Sequence, residues 1–130
     1  MATQTVPIDG LAAAIMRELE LYTDAVEEGV REAIFTTAAE TAALLRATSP
    51  KGTPVVHGYA KGWTVKKVEG ANFTQAIVHA GKNYPMVHLL EKGHAKRDGG
   101  RVAPVVHVAP AEAAALVRLE KRIKDVVEGA

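Results

Sequence analysis

IDGLAAAIMRELELYTDAVEEGVREAIFTTAAETAALLRATSP, residues 8–50, is the stretch that decides the fold. Ile8, Leu11, Ile15, Leu19, Tyr22, Val26, Val30, Ile34, Ala38, Thr41 and Leu45 recur at spacings of three or four, which draws one apolar stripe along a helix. Arg17, Glu20, Asp24, Glu28, Arg31 and Glu32 fall largely off that stripe. Asp24 with Glu27 resembles a capping box and Thr23 is a second possible cap, so the stretch reads as one helix or as two with a break near residues 21–23. It must stop by Thr48 or Ser49, because Pro50 disfavours helical geometry in the residue before it and lacks a donor. A stripe of roughly 40 residues is too long for so small a chain to bury by itself; it needs a sheet beneath it or a neighbouring subunit.

Outward from this helix the chain reads as a loose tail at residues 1–7 and a single α+β domain at residues 8–130. Residues 49–62, with Pro50, Gly52, Pro54, Gly58 and Gly62, form a loop. Two strands follow. Trp63, Val65 and Val68 alternate imperfectly with polar residues. Phe73, Gln75, Ile77 and His79 then share one face, with Thr74, Ala76 and Val78 on the other. A turn at residues 69–72 makes them an antiparallel hairpin. Residues 84–92 are a short helix, with Pro85 early and Gly93 as its stop. A charged, Gly-rich loop at residues 95–101 leads to a third strand at residues 105–108. Pro110 opens a last helix with apolar positions at Ala111, Ala114, Ala115, Leu116, Leu119, Ile123 and Val127. The expected architecture is a long N-terminal helix and a C-terminal helix packed on a small, mainly antiparallel sheet.

Composition narrows the function classes. The chain is 48% hydrophobic, enough for a core, and it contains no cysteine. Disulfides, thiol catalysis and cysteine-based zinc sites are thereby excluded, and the composition suits folding in a reducing cytosol. No secretion signal and no membrane-spanning apolar run is legible. The net charge of +1 hides an asymmetry: residues 1–50 carry 3 basic and 8 acidic side chains, and residues 51–109 carry 9 basic and 3 acidic. Two solvated surfaces of opposite sign, faces that meet across a subunit boundary, and basic loops turned toward DNA all fit this division.

Histidine is the one candidate for chemistry. His88, Glu91 and His94 are spaced H-x-x-E-x-x-H, which invites comparison with zinc-protease motifs. Histidines six apart lie on different faces of a helix, however, and Gly93 ends the helix before His94. His57, His79 and His107 are scattered, the last two on strand candidates. Ser49 is the only serine, no nucleophile elbow or Walker loop is present, and no carboxylate pair converges. No cofactor and no catalytic residue is therefore expected. A His-dependent metalloenzyme is the weakest reading; a DNA-contacting module using Lys96, Arg97 and Arg101, with further lysines at Lys61, Lys66, Lys67 and Lys92, is another.

From Tyr84 the sequence runs YPMVHLLEKGH, then a basic loop, then VAPVVHVAPA. With Tyr84, Val87, Leu90, Glu91, Gly93, Pro104, Pro110 and Ala111 in place, this resembles a family of phage tail-completion or neck proteins from long-tailed double-stranded DNA phages, also called minor tail components or head–tail joining proteins. Upstream, Ser49-Pro50, Gly58-Tyr59 and Gly62-Trp63 look like the family's helix end, loop and Trp-led hairpin. One departure is Thr53-Pro54, where the family often has Thr-Gly. The resemblance implies a non-enzymatic virion protein that assembles in the host cytoplasm. It would complete the tail end or join tail to head as a ring, a hexamer by this likeness. Its partners would be copies of itself, the neck connector or stopper, and the tail-tube or tail-terminator protein, with DNA passing through the channel as a further contact and no membrane involved. The residues expected at assembly interfaces are Tyr59, Trp63, Tyr84, Glu91, Gly93, Lys96, Arg97, Arg101 and Pro110, together with the long helix and the loops at residues 49–62 and 95–101.

Overall fold

The structure, a computed structural model, describes residues 10–51 and 58–129. The tail expected at residues 1–7, the start of the helical stripe at Ile8, and residues 52–57 of the expected loop lie outside the described residues. The N-terminal stripe forms one uninterrupted helix, α1 (Leu11–Thr48), about 57 Å long at 1.5 Å per residue. The break allowed near residues 21–23 does not occur: Asp24 lies inside the helix as an ordinary exposed residue. Ser49 closes α1 in an extended conformation, as Pro50 requires, and returns its N–H to Leu45 O at 2.9 Å.

A one-turn 3-10 segment (Ala60–Gly62) leads into β1 (Thr64–Gly70), which pairs antiparallel with β2 (Phe73–His79) across a tight turn at Ala71 and Asn72. Strand alternation then divides the hairpin. Val65, Thr74, Ala76 and Val78 turn toward α1, and Lys66, Val68, Phe73 and Ile77 turn away from it. A second 3-10 turn (Gly81–Asn83) feeds α2 (Pro85–Lys92), and the chain ends in α3 (Val108–Gly129).

The expected strand at residues 105–108 is corrected. Pro104 has no N–H to give a ladder, the Val105 N–H goes to Leu90 O at 2.7 Å, and the His107 N–H goes to a side chain. The short pairing lies earlier, between β3 (His94–Ala95) and β4 (Arg101–Val102). The basic segment between them is thus a tight hairpin turn, closed by Lys96 N–H to Gly100 O at 3.0 Å. Among the described residues there are accordingly two separate two-stranded antiparallel sheets in place of one.

α3 runs back along α1 through small side chains. Ala33, Thr37, Ala38, Thr41 and Ala42 are buried on α1, and Ala111 on α3. Gly29 lies tight against α3, since a Cβ there would meet Val126 Cγ1 at 2.5 Å. Arg122 locks the pair by donating to Thr37 Oγ1 at 2.8 Å and to Glu40 at 2.6 Å. The core proper lies at the C-terminal end of α1, where Leu45, Tyr59, Trp63, Ala80 and Ala111 are buried against Leu44, Val78, Met86, Val87, Leu90 and Val108.

Candidate functional site

The E-x-G segment at the end of α2 is the centre of a polar hub. α3 begins with free backbone N–H groups, as every helix does, and its own first turn has no acidic residue. Glu91 supplies the missing acceptor from α2. Its Oε1 accepts the N–H groups of His107 at 2.6 Å and Val108 at 2.8 Å, and its Oε2 accepts that of Ala109 at 3.1 Å. Burial pushes the Glu91 carboxyl up, but the three amides and the His107 ring outweigh that and hold it below the usual carboxylate range.

His107 is 4% exposed and carries the hub into the core. Its Nδ1 faces two acceptors, Val105 O at 2.8 Å and Glu91 Oε1 at 2.9 Å, so Nδ1 bears the proton. Nε2 then accepts the Tyr59 hydroxyl at 2.6 Å. Burial, with the Glu91 charge behind it, pushes the Tyr59 phenol up to about 12, so it stays a donor. The rings of Tyr59, Trp63 and His107 meet edge to face, with centroids 5.6 to 6.4 Å apart. Trp63 Nε1 donates to the lone serine, Ser49 Oγ, at 2.8 Å, and Arg46 Nε donates to Trp63 O at 2.9 Å. Gly93 holds φ at +71° and is buried; a Cβ there would collide with Val102 O and sit 3.1 Å from Pro104 N. The hub therefore ties α1, the loop before β1, α2 and α3 at one point. Its hydroxyls, on Ser49 and Tyr59, and its imidazole, on His107, are buried and hydrogen-bonded within the chain, the arrangement of a buried polar fastening.

The residues expected at interfaces separate into two groups. Tyr59, Trp63, Glu91 and Gly93 come together in the hub; Tyr59 and Trp63 are 1% and 4% exposed, so they touch their own chain and shape the surface from beneath. Tyr84, Lys96, Arg97, Arg101 and Pro110 are exposed. Tyr84 leads α2, the three cations cluster on or beside the β3–β4 turn with Arg101 donating to Lys92 O at 3.3 Å, and Pro110 lies in the first turn of α3, where a missing N–H costs little. His88 is exposed, and His94 stands apart with its Nδ1 buried and without a hydrogen bond. His79 accepts the Gly81 N–H and does not face His107. Among the described residues no three His, Asp or Glu side chains converge on a metal-sized site. A largely apolar cleft, about 290 Å³, lies between α1, β2 and α3 and is lined by Ile34, Leu45, Trp63, Val78 and Leu119, with Glu112 as the only acid among its lining residues.

Two features were missed from sequence. One is His107, whose partners lie 16 and 48 residues away. The other is the overhang of α1. Residues 11–25 are exposed except Ala14, and α3 reaches α1 no further than a Tyr22 Oη contact to Val127 O at 3.4 Å. The stripe length pointed to it, but not where the covering would stop.

No helix among the described residues is long and apolar enough to cross a membrane. No curated protein and no solved structure matches the chain. The family model described as "Bacteriophage HK97-gp10, putative tail-component" matches residues 13–93, more than half of the chain. The match runs from α1 through Tyr59, Trp63, Tyr84, Glu91 and Gly93 and ends before Pro104, Pro110 and Ala111. This chain belongs to the HK97-gp10-like family of phage tail components.

Proposed function

We propose that the chain is a non-enzymatic structural protein of the virion. It completes the tail end, or joins tail to head, by forming a ring at the neck, a hexamer by family likeness. Its partners are further copies of itself, the connector or stopper on the head side, and the tail-tube or tail-terminator protein on the other. The observation that carries the reading beyond the family is the α1 overhang: Leu11, Ile15, Leu19 and Tyr22 are 44–55% exposed on one side of a helix. Isolated apolar residues on a surface need no explanation, but a stripe continuous with a core face is the mark of a contact surface. The buried hub supports the same reading, because its polar groups are used up in holding the scaffold.

The test is genetic and structural. Removing the gene from the phage that carries it should leave filled heads and tails that fail to join, visible by electron microscopy. Restoring the wild-type chain should rescue them, and an Ile15→Glu, Leu19→Glu double variant should not. Normal joined particles without the chain would sink the proposal.

A second reading is DNA contact in the channel through Lys96, Arg97 and Arg101, supported by their clustering at one exposed turn. It requires salt-sensitive retention on DNA, with the logarithmic salt slope falling by about 0.9 for each cation removed. No retention at low salt removes it.

A further inference from the structure

The proposed ring leaves open which faces meet, and among the described residues two apolar faces lack a partner. On α1, Leu11, Ile15, Leu19 and Tyr22 fall within about 80° of arc at 100° per residue. Gly29 and Ala33, which face α3, fall in the same arc. The overhang stripe is therefore the α3-packing stripe carried past the end of α3, about 16 Å of helix with its partner missing. The second face is the outer side of the β1–β2 hairpin. α1 covers one side of these strands; on the other, half-buried Val68 and exposed Phe73 and Ile77 lie beside Lys66, with the Phe73 ring over Gly70. Phe73 is 57% exposed, an unusual place for a large ring unless something covers it.

Charge matches the two. Residues 11–28 of α1 hold one cation, Arg17, against five acids, whereas the outer hairpin face holds Lys66 and no acid and is flanked by Lys61 and Lys82. Pairing two overhangs with each other would oppose like charges, and the exposed pair Leu116 and Val117 on α3 is small and set among charges of both signs. We propose that the α1 overhang of one copy lies across the outer face of the β1–β2 hairpin of the next. The contact rests on the ring reading above. It is heterologous, so repetition closes a ring when the rotation permits, and it sandwiches each hairpin between its own α1 and its neighbour's.

The native chain has no cysteine, so an introduced pair reports without background. Ile15→Cys and Ile77→Cys proteins, mixed and treated with a short bismaleimide, should give a cross-linked dimer at least tenfold above either variant alone. The same should hold in particles assembled from both variants. In a charge-swap arm, Lys66→Glu should weaken self-association at least tenfold, and adding Glu18→Lys should restore it. Dimer from Ile15→Cys alone overturns the proposal in favour of paired helices. A native mass showing a ring without the mixed cross-link overturns this contact and leaves the ring standing. Neither ring nor cross-link, in solution or in particles, overturns both.

Discussion

Glu91→Ala should unfasten α3 from α2. The carboxylate serves three backbone N–H groups, and two of them, on His107 and Val108, are buried or half-buried, where water is a poor replacement. Leaving each without an acceptor costs about 1 kcal/mol, and losing the negative charge at the helix start about 0.5–1 kcal/mol more. The sum is about 3 kcal/mol, a large share of the stability of a domain this size. At about 3–5 °C per kcal/mol, Tm should fall by about 10–15 °C. Glu91→Gln keeps an oxygen and loses the charge, so its loss should be about a third as large. The pH dependence has a definite sign. The folded carboxyl is held below its unfolded value, so its contribution is present above the unfolded pKa, near 4, and is lost as pH falls through the folded one. Glu91→Gln should remove that part of the acid sensitivity. Urea melts of both variants and wild type at several pH values and low protein concentration provide the check. A Glu91→Ala protein within about 0.5 kcal/mol of wild type would falsify the hub as the fastening of α3.

Other substitutions read out neighbouring contacts. Gly93→Ala forces a Cβ onto Val102 O at positive φ and should cost about 2–4 kcal/mol, whereas Gly99→Ala, also at positive φ but with open space around it, should cost about 1 kcal/mol; thermal melts separate the two. Ser49→Ala leaves the buried Trp63 indole N–H without its acceptor and should cost about 1–2 kcal/mol by urea melt, with a changed tryptophan fluorescence. Exchanging Lys96, Arg97 and Arg101 together for Gln should move Tm by no more than the equivalent of about 0.5 kcal/mol, since these side chains pack on little; a larger loss would show a structural role for the turn. Ile15→Glu with Leu19→Glu should leave the far-ultraviolet circular dichroism and Tm of the monomer unchanged, because nothing within the described chain covers those residues.

The elements that periodicity governs were legible, and those that distant partners govern were not. α1 followed from its stripe, and the only doubt, a break near Thr23, arose because Asp24 and Glu27 have a capping spacing inside a helix that never needed a cap there. The hairpin followed from alternation, yet the inward face proved to be Thr74, Ala76 and Val78 and the outward one Phe73 and Ile77, since the small side chains are what lets α1 approach. Residues 105–108 read as a strand because Val-Val-His-Val has strand composition; their backbone is instead claimed by Leu90 O and Glu91, acceptors set by the tertiary fold. Glu91 and Gly93 stand out in the sequence as an E-x-G pair, and Gly93 ends α2 as its residue type predicts. Nothing in their spacing announced that Glu91 caps a helix starting 17 residues later.

The proposed function requires that this chain be built into the particle through its α1 overhang. Quantitative mass spectrometry of purified particles from the phage that encodes it tests this most directly. The wild-type chain should be present in every particle at one fixed ratio to the connector, as a single ring requires, and should be lost when Ile15 and Leu19 become Glu. A chain absent from purified particles, or present with the doubly substituted helix at the wild-type ratio, would contradict it.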